Sequence, residues 1–214
     1  MSVWFLISML GFIAMVPVHF ISVEHHKLER KYGKKKGYKI GEIYGLISGW
    51  GLFIFWIGIW FSPQPRFTIP IFQNQSVLLP AINFSIPLLH PVICLIFLIP
   101  SIWLSIRGVR ETTLRTAETH RTEKIVTTGV YSIVRHPQYL GGLLAHIGIS
   151  VLLSAVYSSF ITPLLAMLLL LISKKEEKEL IREYGRIYED YKRNVPMFIP
   201  ILKRKENLSA NCTL

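Results

Sequence analysis

The sequence predicts an all-α, polytopic membrane protein with about five transmembrane helices, the last two forming a helical hairpin, followed by a cytoplasmic C-terminal amphipathic helix. Three observations carry this. Of 214 residues, 51% are hydrophobic and only 17% charged, with a mean hydropathy of +0.41, too apolar for a soluble domain of this size. The apolar residues gather into runs close to membrane-crossing length. The charges, which leave a net +11, fall almost wholly between those runs.

Residues 3–20 and 43–61 contain no Asp, Glu, Lys or Arg, and each approaches the roughly 20 residues a helix needs to cross about 30 Å of hydrocarbon. The first could instead be a signal peptide, but it lacks a basic start and a small-residue cleavage site. Residues 86–106 form a third run that holds Pro87, Pro91 and Pro100; neighbouring helices can satisfy the freed carbonyls, and a kink is expected. Residues 138–172 are too long for one crossing and are broken by Ser154, Ser158, Ser159 and Thr162-Pro163. A hairpin with a tight turn follows, with Thr162 as N-cap and Pro163 opening the second arm. The whole chain, 1–214, therefore reads as one membrane domain. Residues 1–106 supply three spans, and residues 107–214 a loop, the hairpin 138–172 and a C-terminal helix 173–194.

Of the 24 basic residues, 23 fall on one side of this arrangement and only Arg66 on the other. That is the positive-inside pattern, with the N-terminus outside and the tail cytoplasmic, in a cell inner membrane or the endoplasmic reticulum. Topology thus accounts for the positive charge, and membrane lipids rather than nucleic acid are the partners it implies. Two cysteines, Cys94 and Cys212, make no disulfide scaffold, and no Cys/His cluster has metal-binding spacing. No G-x-G-x-x-G follows a strand pattern, which excludes a soluble Rossmann domain. Gly41, Gly45 and Gly49 form a small-residue face suited to close helix packing.

Chemistry concentrates in two clusters. Residues 127–141 are polar, aromatic and punctuated by Pro137, which places His136 near an N-cap and Tyr139 in the first turn of the fourth span. A helix N-terminus offers N–H donors and a positive dipole end to a carboxylate or phosphate; an interfacial anchor of Arg135, His136 and Tyr139 is the plainer alternative. The second cluster is Glu176-Glu177. At about 100° per residue these carboxylates share one arc with Leu180, Ile181, Tyr184, Ile187, Tyr188 and Tyr191, while Lys178, Arg182, Arg186, Glu189, Lys192 and Arg193 take the other. Glu179 is assigned to the solvated side and expected to be silent. A solvated charge run is the ordinary meaning of Lys-Lys-Glu-Glu, yet the shared arc turns both glutamates inward. Fourteen residues from Thr162 to Glu176 rise about 20 Å, which returns Glu176 to the depth of His136, so Arg135, His136, Tyr139, Glu176 and Glu177 can line one pocket at the membrane edge.

The series Gly129, Tyr131, Arg135-His136-Pro137, Tyr139 and Gly141, followed by Glu176-Glu177, Leu180, Gly185, Tyr188, Tyr191 and Val195-Pro196, resembles the isoprenylcysteine carboxyl methyltransferase and phospholipid methyltransferase superfamily over residues 121–200. The resemblance implies an integral-membrane enzyme that uses S-adenosylmethionine to methylate a lipophilic or lipid-anchored acceptor: a prenylcysteine carboxylate, a phospholipid amine or a thiol. Carried over by position, it implies cofactor contacts at Lys124, Ile125, Val126, Tyr131, His136, Pro137, Gln138, Tyr139 and Glu176. Arg135, Lys174 or Lys175 is then left to hold an acceptor carboxylate, and His136 or Glu177 is the base for an amine or thiol. The first three spans add only topology. Carboxyl-methylating relatives have an arginine four residues before the first glutamate, where this chain has Ile172; prenylcysteine is the acceptor this disfavours. The competing classes are a sterol-reductase-like, NADPH-dependent membrane reductase and a non-catalytic membrane scaffold.

Overall fold

A computed structural model describes residues 2–71, 75–79, 84–112 and 125–200. The chain is mostly helical. Helix α1 (Val3–Val23) starts where the Ser2 hydroxyl accepts the Phe5 amide proton at 3.2 Å, a side-chain N-cap. Its buried residues Phe5, Ser8, Phe12, Val16, His19 and Val23 recur every three or four positions, so one stripe faces the protein while Trp4, Ile7 and Leu10 point outward. After the short α2 (His25–Tyr32), α3 (Lys34–Phe61) begins nine residues before the apolar run does, its lysine-rich first turns extending past the hydrocarbon segment. Gly41 and Gly45 are buried on its inner side.

Two corrections concern the segment before the third span. The expected all-α fold contains a two-stranded antiparallel hairpin, β1 (Ser76–Leu79) and β2 (Phe84–Pro87), with Ser76 opposite Pro87 and Leu79 opposite Phe84. Ile86 and Pro87 belong to it, so α4 (Leu89–Thr112) starts later than residue 86, with Pro100 in its interior. The apolar run alone could not separate a strand end from a helix start, because both bury Ile and Pro equally well.

The expected hairpin is present as α5 (Pro137–Leu152) and α7 (Thr162–Tyr184). Its turn is wider than expected: Ser154 adopts φ 54°, and a five-residue helix, α6 (Val156–Phe160), caps the connection. Residues 65–67 strap it, through Val156 N–H to Pro65 O at 3.1 Å and Phe67 N–H to Ser154 O at 3.0 Å. Ile161, not Thr162, occupies the N-cap position, and Thr162-Pro163 form the first two helical residues.

Nor does a separate helix begin at residue 173. Helix α7 runs unbroken to Tyr184, Gly185 turns the chain at φ 55°, and α8 (Arg186–Asn194) follows. A positive φ suits glycine, which carries no Cβ to collide with the carbonyl. This turn resets the helical phase, so Ile187 is 70% exposed although the uninterrupted arc placed it inward, while Tyr188 and Tyr191 stay buried.

Among the described residues three helices, α1, α3 and α4, are long and apolar enough to cross a membrane. The hairpin arms differ from these: α5 has only 16 residues, about 24 Å, and α7, though 23 residues long, turns charged after residue 173. The apolar core joins α1, α3 and α7 through Phe5, Phe12, Val16, Ile59, Leu165, Leu168 and Ile172. Helix α4 lies along α5, where the Ser101 hydroxyl donates to Gly141 O at 2.7 Å.

Candidate functional site

Local chemistry builds the loop ahead of α5. Gly129, at φ 55°, opens a single 3-10 turn (Gly129–Ser132) against the Glu111 carboxylate, which accepts the Val130 amide proton at 3.3 Å and would clash with any side chain at 129. His136 then takes the N-cap position and Pro137 the first helical one, as the sequence predicts. The loop is held by the segment after α8: Arg135 N–H donates to Pro196 O at 2.9 Å and His136 N–H to Met197 O at 3.3 Å. Tyr191 donates its hydroxyl to Tyr131 O at 2.6 Å.

A charged nest sits behind this loop. Glu177, 1% exposed, accepts from Arg135 Nε at 2.7 Å, lies 3.2 Å from His136 Nε2 and is 3.0 Å from Lys192 Nζ. Arg135 also donates to the carbonyls of Lys192 and Val195. Burial alone would raise the Glu177 carboxyl, but the bonds from His136, Arg135 and Lys192 outweigh it and hold it down at about 2. Glu176, one residue earlier, accepts the Tyr139 hydroxyl proton on Oε1, the same oxygen that lies 3.2 Å from His19 Nε2; its Oε2 is 3.7 Å from His136 Nδ1. The imidazole of His136 stacks on Tyr139, centroids 5.7 Å apart and planes inclined by 12°.

Beside this nest lies an open cavity of about 990 Å³, the solvent space at its mouth included. Ile125, Val126, Tyr131, Arg135, His136, Pro137, Gln138, Tyr139 and Glu176 all line it, so the loop, the start of α5 and the middle of α7 meet as the hairpin geometry requires. Lys124 lies outside the described residues. Glu177 does not line the cavity; it is enclosed by its cations behind the wall. Ile172 does not line it either, being 1% exposed in the core among Phe5, Phe12 and Val16.

Several lining residues escaped the sequence reading. Glu179 is 5% exposed and borders the cavity, with Oε1 bonded to Arg182 and Oε2 buried without a hydrogen-bond partner. Its assignment to the solvated side was an error of phase, since a residue three positions on from Glu176 is its neighbour on the helix surface. The spacing was visible: 165, 168, 172, 176, 179 and 183 continue one row of α7 from core into cavity. Val23 and His25 bring the N-terminal half to the wall, and Thr112, Leu180, Glu183, Tyr188 and Tyr191 complete it. Burial raises the phenols of Tyr131, Tyr188 and Tyr191, which keeps all three neutral hydrogen-bonding walls.

Residues 90–187 match the phospholipid methyltransferase family. Methanethiol S-methyltransferase of Crocosphaera subtropica is 35% identical over 101 residues, 46% of this chain and 38% of that protein. Protein-S-isoprenylcysteine O-methyltransferase of Schizosaccharomyces pombe is 36% identical over 83 residues, 36% of this chain and 34% of that protein. Methanethiol S-methyltransferase 2 of Bradyrhizobium diazoefficiens is 41% identical over 73 residues, 34% and 27% of the two chains. The aligned part thus spans less than two-fifths of each of these relatives' length. Residues 90–187 contain the loop, both arms of the hairpin and the two glutamates, and over this segment the chain is similar to the isoprenylcysteine carboxyl methyltransferase and phospholipid methyltransferase superfamily.

Proposed function

We propose that this protein is an integral-membrane methyltransferase that moves a methyl group from S-adenosylmethionine to a lipophilic acceptor, with five spans, the N-terminus outside and the cavity opening at the cytoplasmic edge. The observation that supports this best is the cavity wall itself, which sets carboxylates from α7 opposite the N-terminus of α5 with tyrosines between them. The donor set fits the cofactor. The buried Oε2 of Glu179 and the carboxylate of Glu176 suit its ammonium, and the N–H groups in the first turn of α5 suit its carboxylate. Tyr131, Tyr188, Tyr191, Ile125 and Val126 give aromatic and apolar walls for the adenosine.

When bound, the cofactor supplies a methyl group on a sulfonium, open to in-line displacement. The chain's own part is to align and to manage protons. Arg135 and Glu177 lock the loop to α7, so Glu177 is a positioning residue here. His136 lies between the carboxylates of Glu176 and Glu177, and we assign to it the role of base toward an amine or thiol acceptor. Arg135 is already committed to Glu177 and two carbonyls, and position 172 offers no cation. Among the described residues that line the cavity Arg135 is the one arginine or lysine, so an acceptor carboxylate finds no uncommitted cation of that kind there, and a thiol or an amine is favoured over a prenylcysteine.

Equilibrium binding to the purified protein in detergent tests the cofactor: S-adenosylmethionine should bind and NADPH should not. Binding of NADPH alone would establish the reductase class, and binding of neither a non-catalytic scaffold. Methyl-labelled cofactor offered with an alkyl thiol, a phosphatidylethanolamine and a prenylcysteine should label one of the first two. Robust labelling of the prenylcysteine would overturn the acceptor assignment.

A further inference from the structure

We propose that His19 is a positioning residue for the cavity, donating from Nε2 to Glu176 Oε1 and thereby making the N-terminal helix part of the binding site. The inference rests on the cofactor assignment above and goes beyond it, because residue 19 lies outside the segment matched by the family. His19 is 1% exposed and continues the interior stripe of α1 by which Phe5, Phe12 and Val16 pack against α7. A polar ring buried there is costly without a polar partner, and Glu176, which its Nε2 meets at 3.2 Å, is 157 residues away in sequence. The backbone at this point is pinned by the Ser22 hydroxyl, which donates to His19 O at 2.7 Å. A second tie lies one turn on, where Glu24 at the end of α1 pairs with Lys175, the residue before Glu176.

The consequence for Glu176 is geometric. Tyr139 from α5 and His19 from α1 converge on the same oxygen, Oε1. Two donors arriving from different helices fix the plane of the carboxylate and turn Oε2 toward His136. One donor would leave the group free to swing about its last torsion. The carboxylate offered to a cationic ligand group is thus oriented in advance by a helix that contributes no atom to the family motif, which is pre-organisation of the kind that raises affinity.

His19→Leu and His19→Gln separate orientation from bulk, since the glutamine amide can place a donor near the position of Nε2. Binding of S-adenosylmethionine to the purified full chain is expected to weaken about tenfold in His19→Leu and less than about threefold in His19→Gln, as loss of a hydrogen bond to a charged acceptor requires. In a Glu176→Gln background, His19→Leu should cost less than about twofold more, because the two side chains act through one contact. If His19→Leu does not fold, judged by gel filtration and thermal unfolding, His19→Asn replaces it, its shorter amide failing to reach Oε1 and losing about tenfold against His19→Gln. Unimpaired binding by the donor-less variant, or an undiminished further loss in the Glu176→Gln background, would overturn the role of His19 while the unmodified protein still binds. Absence of binding by the unmodified protein is the different result that overturns the cofactor assignment and this inference together.

Discussion

Helix α5 carries two buried polar nests, one at its start and one in its second half, and they are built on opposite plans. In the second, His146 Nδ1 accepts from the indole N–H groups of Trp56 and Trp60, both at 2.9 Å, and its Nε2 faces Ser158 O at 3.0 Å. Ser150 and Ser158 share a hydrogen bond at 2.7 Å, and His90 bridges Ser154 and the Ile69 amide. Gln64 accepts the Ser158 amide proton at 2.9 Å. Every group in that nest is neutral in its bonding pattern and has a partner. The nest at the start of the helix is ionic, opens onto a cavity and keeps a buried carboxylate oxygen on Glu179 unbonded. Polar groups that serve the fold close on one another, whereas those that serve a ligand keep part of their capacity for it.

The strongest way to break this contrast is Arg135→Leu, which leaves Glu177 buried among fewer partners. It should cost about 3–5 kcal/mol of stability and abolish cofactor binding, read by thermal unfolding and by equilibrium binding. Acid should act on the same nest. A carboxylate held at about 2 contributes stability that is present above its ordinary pKa of 4.5 and lost as pH falls from there toward 2. The unfolding midpoint should therefore drop over that window, and Glu177→Gln should flatten the drop. At the other nest, His146→Leu orphans two indole donors and should cost about 1–3 kcal/mol, yet leave S-adenosylmethionine affinity within about twofold. Comparable loss of affinity would mean the closed nest is not merely structural. The smallest effect is expected at Glu179→Gln, with binding about three- to tenfold weaker as a charge-assisted bond becomes neutral and the unfolding midpoint unchanged. A silent substitution would return Glu179 to the solvated side on which the sequence reading put it.

What could be read from sequence was local. The hairpin arms, the start of the second near Thr162, His136 at the head of α5 and the common depth of His136 and Glu176 all follow from apolar runs, proline chemistry and helical rise. Extrapolating one helical phase past Gly185 misplaced Ile187, since a single positive φ reorients everything after it. The strand pair before α4 was hidden inside an apolar run that satisfied either geometry. His19 was the hardest to see: one histidine in residues 3–20 carries no mark of its partner in α7, because the pairing of α1 with α7 is a tertiary fact. Its place on the 5, 8, 12, 16, 19, 23 stripe was nevertheless legible, and said that the ring points inward.

The carbonyls of Val195, Pro196 and Met197 that receive the donors of Arg135 and His136 also set a timetable. Helices leave the ribosome in chain order, and those up to α7 can insert and pack while α8 is still being made. The Arg-His-Pro loop, however, lacks its backbone fastening until residue 197 has emerged. A chain terminated by a nonsense codon anywhere between 185 and 194 would have its hairpin formed and its loop held to α7 but not to the carbonyls beyond α8. Translation itself thereby withholds the finished loop until nearly all of the described protein exists.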